Sequence, residues 1–183
     1  MIIIILGGPG SGKSTQAKVL AKKLNLVHLS TGRLAREAAL EKTPFGRQVN
    51  EIIDSGRILS DKLLFRILKK ELKKKKYKNG FILEGTPRNI NQAKLLDFKV
   101  FKVFFLEVRE KIAIERLLKR AEIEKRNDDN IGIIKKRFGI FNRETKPILD
   151  YYKELGVLER ISGEGAVEEI QRNIASRIKN DSN

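Results

Sequence analysis

The sequence predicts an α/β fold built around a parallel sheet, and three observations carry that prediction. Short apolar runs rich in β-branched residues alternate with stretches of helical periodicity along the whole chain. The first run, Met1 to Leu6, is continuous rather than alternating, as expected of a strand covered on both faces. It breaks off into glycines and then into a helix. The 183 residues suit a single domain. Hydrophobic residues make up 40% of them, which is enough for a core and argues against wholesale disorder.

Taken in order, Met1 to Leu6 is the first strand and Gly7 to Gly12 a glycine-rich turn. Ala17, Leu20, Ala21 and Leu24 recur at helical spacing and predict the first helix. Val27 to Leu29 is a second strand. Ser30 and Thr31 carry hydroxyls suited to capping the free N–H groups of a following helix. Helical stretches are expected at about 33–41, 45–55 and 61–76, broken at Pro44 and Gly56. Gly80 to Leu83 is the third strand and Asn89 to Leu96 a helix. Val100 to Val108 is the fourth strand, and Arg109 to Ala121 another helix. Glu122 to Asn130 has little to bury and predicts a loop. Ile131 to Leu155 reads as one long helix bent near Pro147. Val157 to Ile161 is the fifth strand, and Ala166 to Ile178 the last helix.

Composition narrows the chemistry. Lys and Arg number 39 against 23 Asp and Glu, a formal net charge of +16. Such a surplus attracts polyanions: nucleotides, nucleic acid or acidic surfaces. There is no Cys and one His, which excludes disulfides, thiolate metal sites and His clusters. The longest apolar run falls well short of the roughly 20 residues of a membrane span. No signal-peptide pattern is visible, so the expected location is cytoplasmic.

Gly7-Gly8-Pro9-Gly10-Ser11-Gly12-Lys13-Ser14 matches G-x-x-x-x-G-K-[ST] between a strand and a helix, the context the P-loop pattern requires. Glycines let the backbone curl so that successive N–H groups point at a phosphate. The helix N-terminus adds the positive end of its dipole. Lys13 supplies a point charge for the β- and γ-phosphates, and the Ser14 hydroxyl suits Mg²⁺. A P-loop NTPase fold is therefore expected, with the second substrate left open.

Beyond the P-loop, the chain resembles the adenylate kinases and related nucleoside monophosphate kinases, of the short-lid type, over almost its whole length. The resemblance begins with Gly7 to Gln16 and continues with His28-Leu29-Ser30-Thr31-Gly32 and Arg36. Glu84-Gly85-Thr86-Pro87-Arg88 and Gln92 are similar to the family's D-G-[FY]-P-R signature. Arg116 to Arg120 and Arg126 to Asn130 resemble the borders of its lid. Lys136-Arg137 and Thr145 to Tyr152 resemble the helix that follows. The resemblance implies five parallel strands flanked by helices. It divides the chain into a core (1–29, 60–118 and 130–183), a monophosphate-binding region at 30–59 and a short lid at 119–129. Without Cys, that lid is expected to hold no zinc.

The activity implied is reversible transfer of the terminal phosphoryl group of ATP to AMP, giving two ADP, by a monomer using Mg²⁺. Two charged phosphates must meet in line, so cations and exclusion of water matter more than a general base. By resemblance, Lys13, Arg88, Arg120, Arg126 and Arg137 are catalytic. Gly10, Ser11, Gly12, Lys13, Ser14, Thr15, Arg116, Arg120 and Gly165 bind ATP. Thr31, Arg36, Arg57, Leu59, Gly85, Arg88, Gln92, Arg126 and Arg137 bind AMP. Ser14 and Glu84 hold Mg²⁺ directly or through water. Asp128 and Asp129 are expected either to pair with lid arginines or to cap the next helix. His28 is expected to be a strand residue with a satisfied ring, and Arg109 has no expected role.

Thr31 and Gln92 favour AMP over the pyrimidine monophosphates, while Asn89 after Pro87-Arg88 points the other way. The sequence departs from the family pattern at Arg33, Glu84, Ser14 and Thr86. The family usually carries Asp, Asp, Gly and an aromatic residue there. A UMP/CMP kinase of the same fold thus stays open. So does a P-loop ATPase associated with RNA or ribosomes, because Lys69 to Lys78 puts seven lysines in ten residues, expected on a helix with Leu68 and Leu72 inward.

Overall fold

A computed structural model of the chain describes residues 1–124 and 130–180. Among the described residues, five strands form one parallel sheet: β1 (Ile2–Gly7), β2 (Val27–Ser30), β3 (Phe81–Glu84), β4 (Lys102–Glu107) and β5 (Leu158–Ser162). Their order across the sheet is β2-β3-β1-β4-β5, so β1 lies at the centre. It pairs with β3 from Ile2 opposite Phe81 and with β4 from Ile3 opposite Lys102.

The pleat sends alternate residues of β1 to opposite faces. Ile4 and Leu6 join a core with Leu29, Leu83, Val103, Phe105 and Tyr152. Ile3 and Ile5 join another with Leu20, Ile82, Phe104, Ile161 and Ile174. Ile3, Ile4 and Ile5 are fully buried, each contributing about 1.5–3 kcal/mol of burial. This double coverage explains the unbroken apolar run in the sequence.

The helices are α1 (Lys13–Lys23), α2 (Thr31–Ala39), α3 (Pro44–Asp54), α4 (Asp61–Leu72), α5 (Ile90–Leu95), α6 (Glu110–Glu124), α7 (Ile131–Ile140), α8 (Ile148–Glu154) and α9 (Val167–Asn180). Side-chain caps set several starts. Ser30 accepts from the Arg33 N–H, Thr43 from Gly46, Asn89 from Gln92 and Asn130 from Ile133. Asn130 thus caps α7; Asp128 and Asp129, expected either to pair with lid arginines or to cap this helix, lie outside the described residues.

Three sequence expectations are corrected. The helix expected over 61–76 stops at Leu72 and resumes as a 3₁₀ turn, Lys75–Tyr77. At 100° per residue, position 77 would lie about 140° around a continued helix from Leu72. The turn instead buries Tyr77 against Phe81. The Lys69–Lys78 segment is therefore not one helix, and Lys74 and Lys76 are paired with Glu71. The loop expected from Glu122 does not start there, because α6 runs to Glu124; residues 125–129 lie outside the described residues. The single helix expected over 131–155 is α7, a π-helical turn at Phe141–Thr145, and α8, with Pro147 at the N-cap of α8.

Candidate active site

Most of the expected site residues that are described gather at the carboxyl ends of the strands, around the centre where strand order reverses. The turn after β1 curls through Gly7, Gly10 and Gly12, all at positive φ. At Gly10 any Cβ would strike the Ala113 backbone in α6, so only glycine fits. Gly12 caps α1, which places Lys13, Ser14 and Thr15 in its first turn.

Lys13 folds back over this turn. Its Nζ donates to the Gly8 carbonyl at 2.6 Å and approaches Ser11 Oγ at 3.4 Å. Burial lowers its pKa to about 7; Glu84 opposes that shift, and the charges of Arg88, Arg137 and Arg120 add to it. Four of the expected catalytic cations are therefore close enough to sense one another, and a polyphosphate would relieve their repulsion.

Glu84 closes the floor of the site at the end of β3 and is 5% exposed. Its Oε1 accepts from Ser14 Oγ at 2.9 Å and from Ser30 Oγ at 2.5 Å. Burial pushes its carboxyl up. The His28 ring, the Ser30 hydroxyl, the Lys13 charge and the Ser14 hydroxyl outweigh that and hold it at about 2. The expected satisfied ring of His28 is corrected. Its Nε2 is buried without a hydrogen-bond partner, 3.7 Å from Glu84 Oε1, which is too long for a bond.

The two expected Mg²⁺ residues, Ser14 and Glu84, thus meet in one hydrogen bond. A hydroxyl beside a charged carboxylate is a hard-oxygen pair, and Mg²⁺ typically takes one or two such protein groups, completing its shell with water and phosphate. Among the described residues, no group of three or more His, Cys, Asp or Glu forms an all-protein metal cage. The residues present fit that ion.

Two cavities flank this floor. One is lined by Gly7, Pro9, Lys13, Arg88, Arg137 and Phe141, among others. The second gathers the expected acceptor residues: Thr31, Arg36, Arg57, Leu59, Gly85, Arg88, Gln92 and Arg137. Gly56, Ile58, Gly85, Arg88 and Arg137 border both. Gln92 is buried; its Oε1 accepts from the Arg88 N–H at 2.8 Å and from Thr86 Oγ1 at 3.4 Å, and its Nε2 donates to the Leu59 carbonyl at 3.4 Å. Thr31 donates to the Glu84 carbonyl at 3.2 Å, and Arg88 Nε to the Gly85 carbonyl at 2.7 Å. The Thr86–Pro87 peptide is cis.

On the opposite flank, Arg116 Nη1 donates to the Gly163 carbonyl at 2.9 Å, beside Gly165. Arg120 lies near enough for its charge to reach Lys13. Arg126 lies outside the described residues. Sequence reasoning named Thr145 and Asn89 but missed the contacts they make. Thr145 Oγ1 donates to the Arg88 carbonyl at 2.8 Å. Asn89 Nδ2 donates to Asp61 Oδ1 at 3.1 Å, joining the starts of α5 and α4. These pairs are 57 and 28 residues apart, so only the fold brings them together. Asn89 alone left a local signal, as a capping residue after proline.

A strand, a phosphate-cradling turn and a helix, with a buried acid beside the turn and two cavities meeting at arginines, define a P-loop nucleotide-binding protein with room for a second substrate. The family model for adenylate kinase matches residues 5–157. The chain is 37% identical over 182 residues to the adenylate kinase of Xylella fastidiosa (strain M12), covering 96% of this chain and 97% of the relative. It is 36% identical over 186 residues to that of Stenotrophomonas maltophilia (strain K279a), covering 98% and 100%. It is 39% identical over 183 residues to that of Azobacteroides pseudotrichonymphae genomovar. CFP2, covering 96% of each. The chain belongs to the adenylate kinase family.

Proposed function

We propose that the chain is a nucleoside monophosphate kinase that transfers the terminal phosphoryl group of Mg²⁺-bound ATP reversibly to AMP, giving two ADP. The observation that supports this most is the pair of cavities sharing Arg88 and Arg137. One adjoins the phosphate-binding turn and the other is lined with groups able to grip a base and a phosphate. A nucleotide-hydrolysing ATPase has no need of the second.

In this reading the N–H groups of Gly10 to Thr15 and the Lys13 ammonium hold the donor phosphates. Arg36 and Arg88 grip the acceptor phosphate with bidentate forks. An acceptor phosphate oxygen attacks the γ-phosphorus while the bond from that phosphorus to the β–γ bridging oxygen breaks. Arg137, Arg120 and Arg126 neutralise the charge that spreads over the transferring group. The nucleophile is already anionic, so no side chain removes a proton. Ser14 and Glu84 would hold Mg²⁺, Glu84 through water, and the ion supplies charge neutralisation at the donor phosphates. Thr31, Gln92 and the backbone from Arg57 to Leu59 line the acceptor base. Arg116 and the Gly165 backbone serve the donor base.

The expected working unit is a single chain, since one chain lines both cavities, and the expected location is the cytoplasm. Among the described residues, no helix is long and apolar enough to cross a membrane. The RNA-associated alternative loses ground because Lys74 and Lys76 are engaged by Glu71 and the lysines do not share one helical face.

The test is phosphoryl transfer from Mg²⁺-ATP to AMP, CMP, UMP and GMP in parallel. ADP production with AMP far above the others is expected. A preference for CMP or UMP would keep the mechanism and overturn the roles of Thr31 and Gln92. ATP binding without transfer to any acceptor would return weight to an ATPase associated with RNA.

A further inference from the structure

The donor side of the site carries a contact that phosphoryl transfer itself does not use. Glu164 lies between Gly163 and Gly165 in the loop from β5 to α9. Arg109, in the turn from β4 to α6, grips its carboxylate. Nε lies 3.1 and 3.0 Å from the two oxygens and Nη2 lies 2.8 Å from one of them. The Arg109 backbone N–H donates to the same carboxylate at 2.8 Å. The inner flank of the loop is fastened separately. The Gly163 N–H donates to the Glu107 carbonyl at 2.8 Å, and Arg116 donates to the Gly163 carbonyl. Gln16 Nε2 donates to the Val167 carbonyl at 3.3 Å, and the buried Gln171 donates to the Gln16 carbonyl and Oε1 at 2.9 and 2.6 Å. A Cβ at Gly163 would lie 3.1 Å from the Ser11 carbonyl, so the loop rests against the phosphate-binding turn.

We propose that the Arg109–Glu164 ion pair is a positioning clamp for the donor base: it holds the Gly165 backbone at a fixed height over the donor nucleotide and so sets affinity for the base, touching neither substrate. This role presupposes the kinase activity proposed above. Arg109 is 76% exposed, and an ordinary exposed pair contributes little. Here the planar fork meets both carboxylate oxygens and a backbone N–H adds a third point of attachment. Gly163 is already fastened and the Glu164 N–H donates to Ser162 Oγ at 3.3 Å, so the freedom that the ion pair removes lies on the outer side, at Gly165, which sits at φ +108.

A clamp and a simple field effect leave opposite signatures. ATP is a polyanion, so a field effect makes loss of Arg109 weaken its binding and loss of Glu164 strengthen it. A clamp makes both losses weaken it. The experiment compares the native protein with Arg109→Met, Glu164→Gln and the exchange Arg109→Glu/Glu164→Arg. It measures kcat, KM for ATP and for AMP, melting temperature, and inhibition by inorganic tripolyphosphate, which has phosphates but no base. KM for ATP is expected to rise about two- to fivefold in both single variants and to recover in part in the exchange. KM for AMP, kcat and tripolyphosphate inhibition are expected to hold within about twofold. Opposite shifts in KM for ATP, no shift, a matching change in tripolyphosphate inhibition, or a lower melting temperature alone would overturn the clamp. A native protein that phosphorylates no monophosphate would instead overturn the activity on which the clamp depends.

Discussion

Glu84 shows what a buried carboxylate requires to stay charged. Two serine hydroxyls and the Lys13 ammonium compensate for the water it has lost. The Ser14 hydroxyl is the most consequential of these, because it is also one of the two groups proposed to hold Mg²⁺. If Ser14 ligates Mg²⁺ directly, Ser14→Gly should raise the Mg²⁺ concentration for half-maximal activity severalfold. An unchanged Mg²⁺ titration would count against direct ligation. Lys13 and Ser14 were legible in the sequence because the phosphate-binding turn is local and its spacing is rigid. The His28 ring was not. Whether a strand histidine finds a partner depends on the neighbouring strand, and β2 pairs with β3 so that Ser30, not His28, meets Glu84 in register.

At the scale of single elements, the end of α4 departs most from its sequence pattern. Glu71 is buried at the helix terminus, with Tyr77 Oη donating at 2.7 Å and Lys74 Nζ at 2.6 Å. Burial alone would raise its carboxyl, but Lys74, Tyr77 and Lys76 hold it at about 2, below the ordinary 4.5. The unfolded chain takes up this proton near 4.5 and the folded chain only near 2. The stabilisation is therefore complete above pH 4.5 and is lost as pH falls towards 2. Glu71→Gln should lower the melting temperature by about 2–6 °C at pH 7, and the gap to the native protein should narrow between pH 4.5 and 3. Circular-dichroism melts across that range test it; a gap independent of pH would show that packing, not charge, is at stake. Hydrophobic spacing located α4 well enough. Its end was illegible because a run of lysines has no periodicity, and the turn is decided by a tyrosine that reaches the core from outside the helix face.

At the scale of the molecule, the cavity proposed for the acceptor is bordered by a turn that a contact between distant parts of the chain holds. Lys136 on α7 donates to the Ser55 carbonyl at 2.7 Å, at the C-terminal end of α3. There an ammonium meets the negative end of the helix dipole. The next residue, Gly56, borders both cavities, and a Cβ there would come within 2.7 Å of Ile133. The 55–58 turn is thus pressed against α7. Lys136→Met should raise KM for AMP about three- to tenfold while KM for ATP changes little; equal effects on both substrates would show that the contact does not serve the acceptor side. The alternation of strands and helices made the sheet legible, because each unbroken apolar run needs cover on both faces. The α7 contact had no such signal, since its partners are 81 residues apart and one of them is a backbone carbonyl.

The central position of β1 separates the two halves of recognition. The residues proposed for the acceptor mostly follow β2 and β3 on one side, joined by Arg137 of α7 from beyond β4, and those proposed for the donor base follow β4 and β5 on the other. In the proposed reaction the phosphates meet between these two sets, beside the turn after β1. On the proposed roles, base preference for one nucleotide can therefore drift by substitutions around one base while the other base keeps its own contacts, so a lineage can change what it phosphorylates without first changing what it spends.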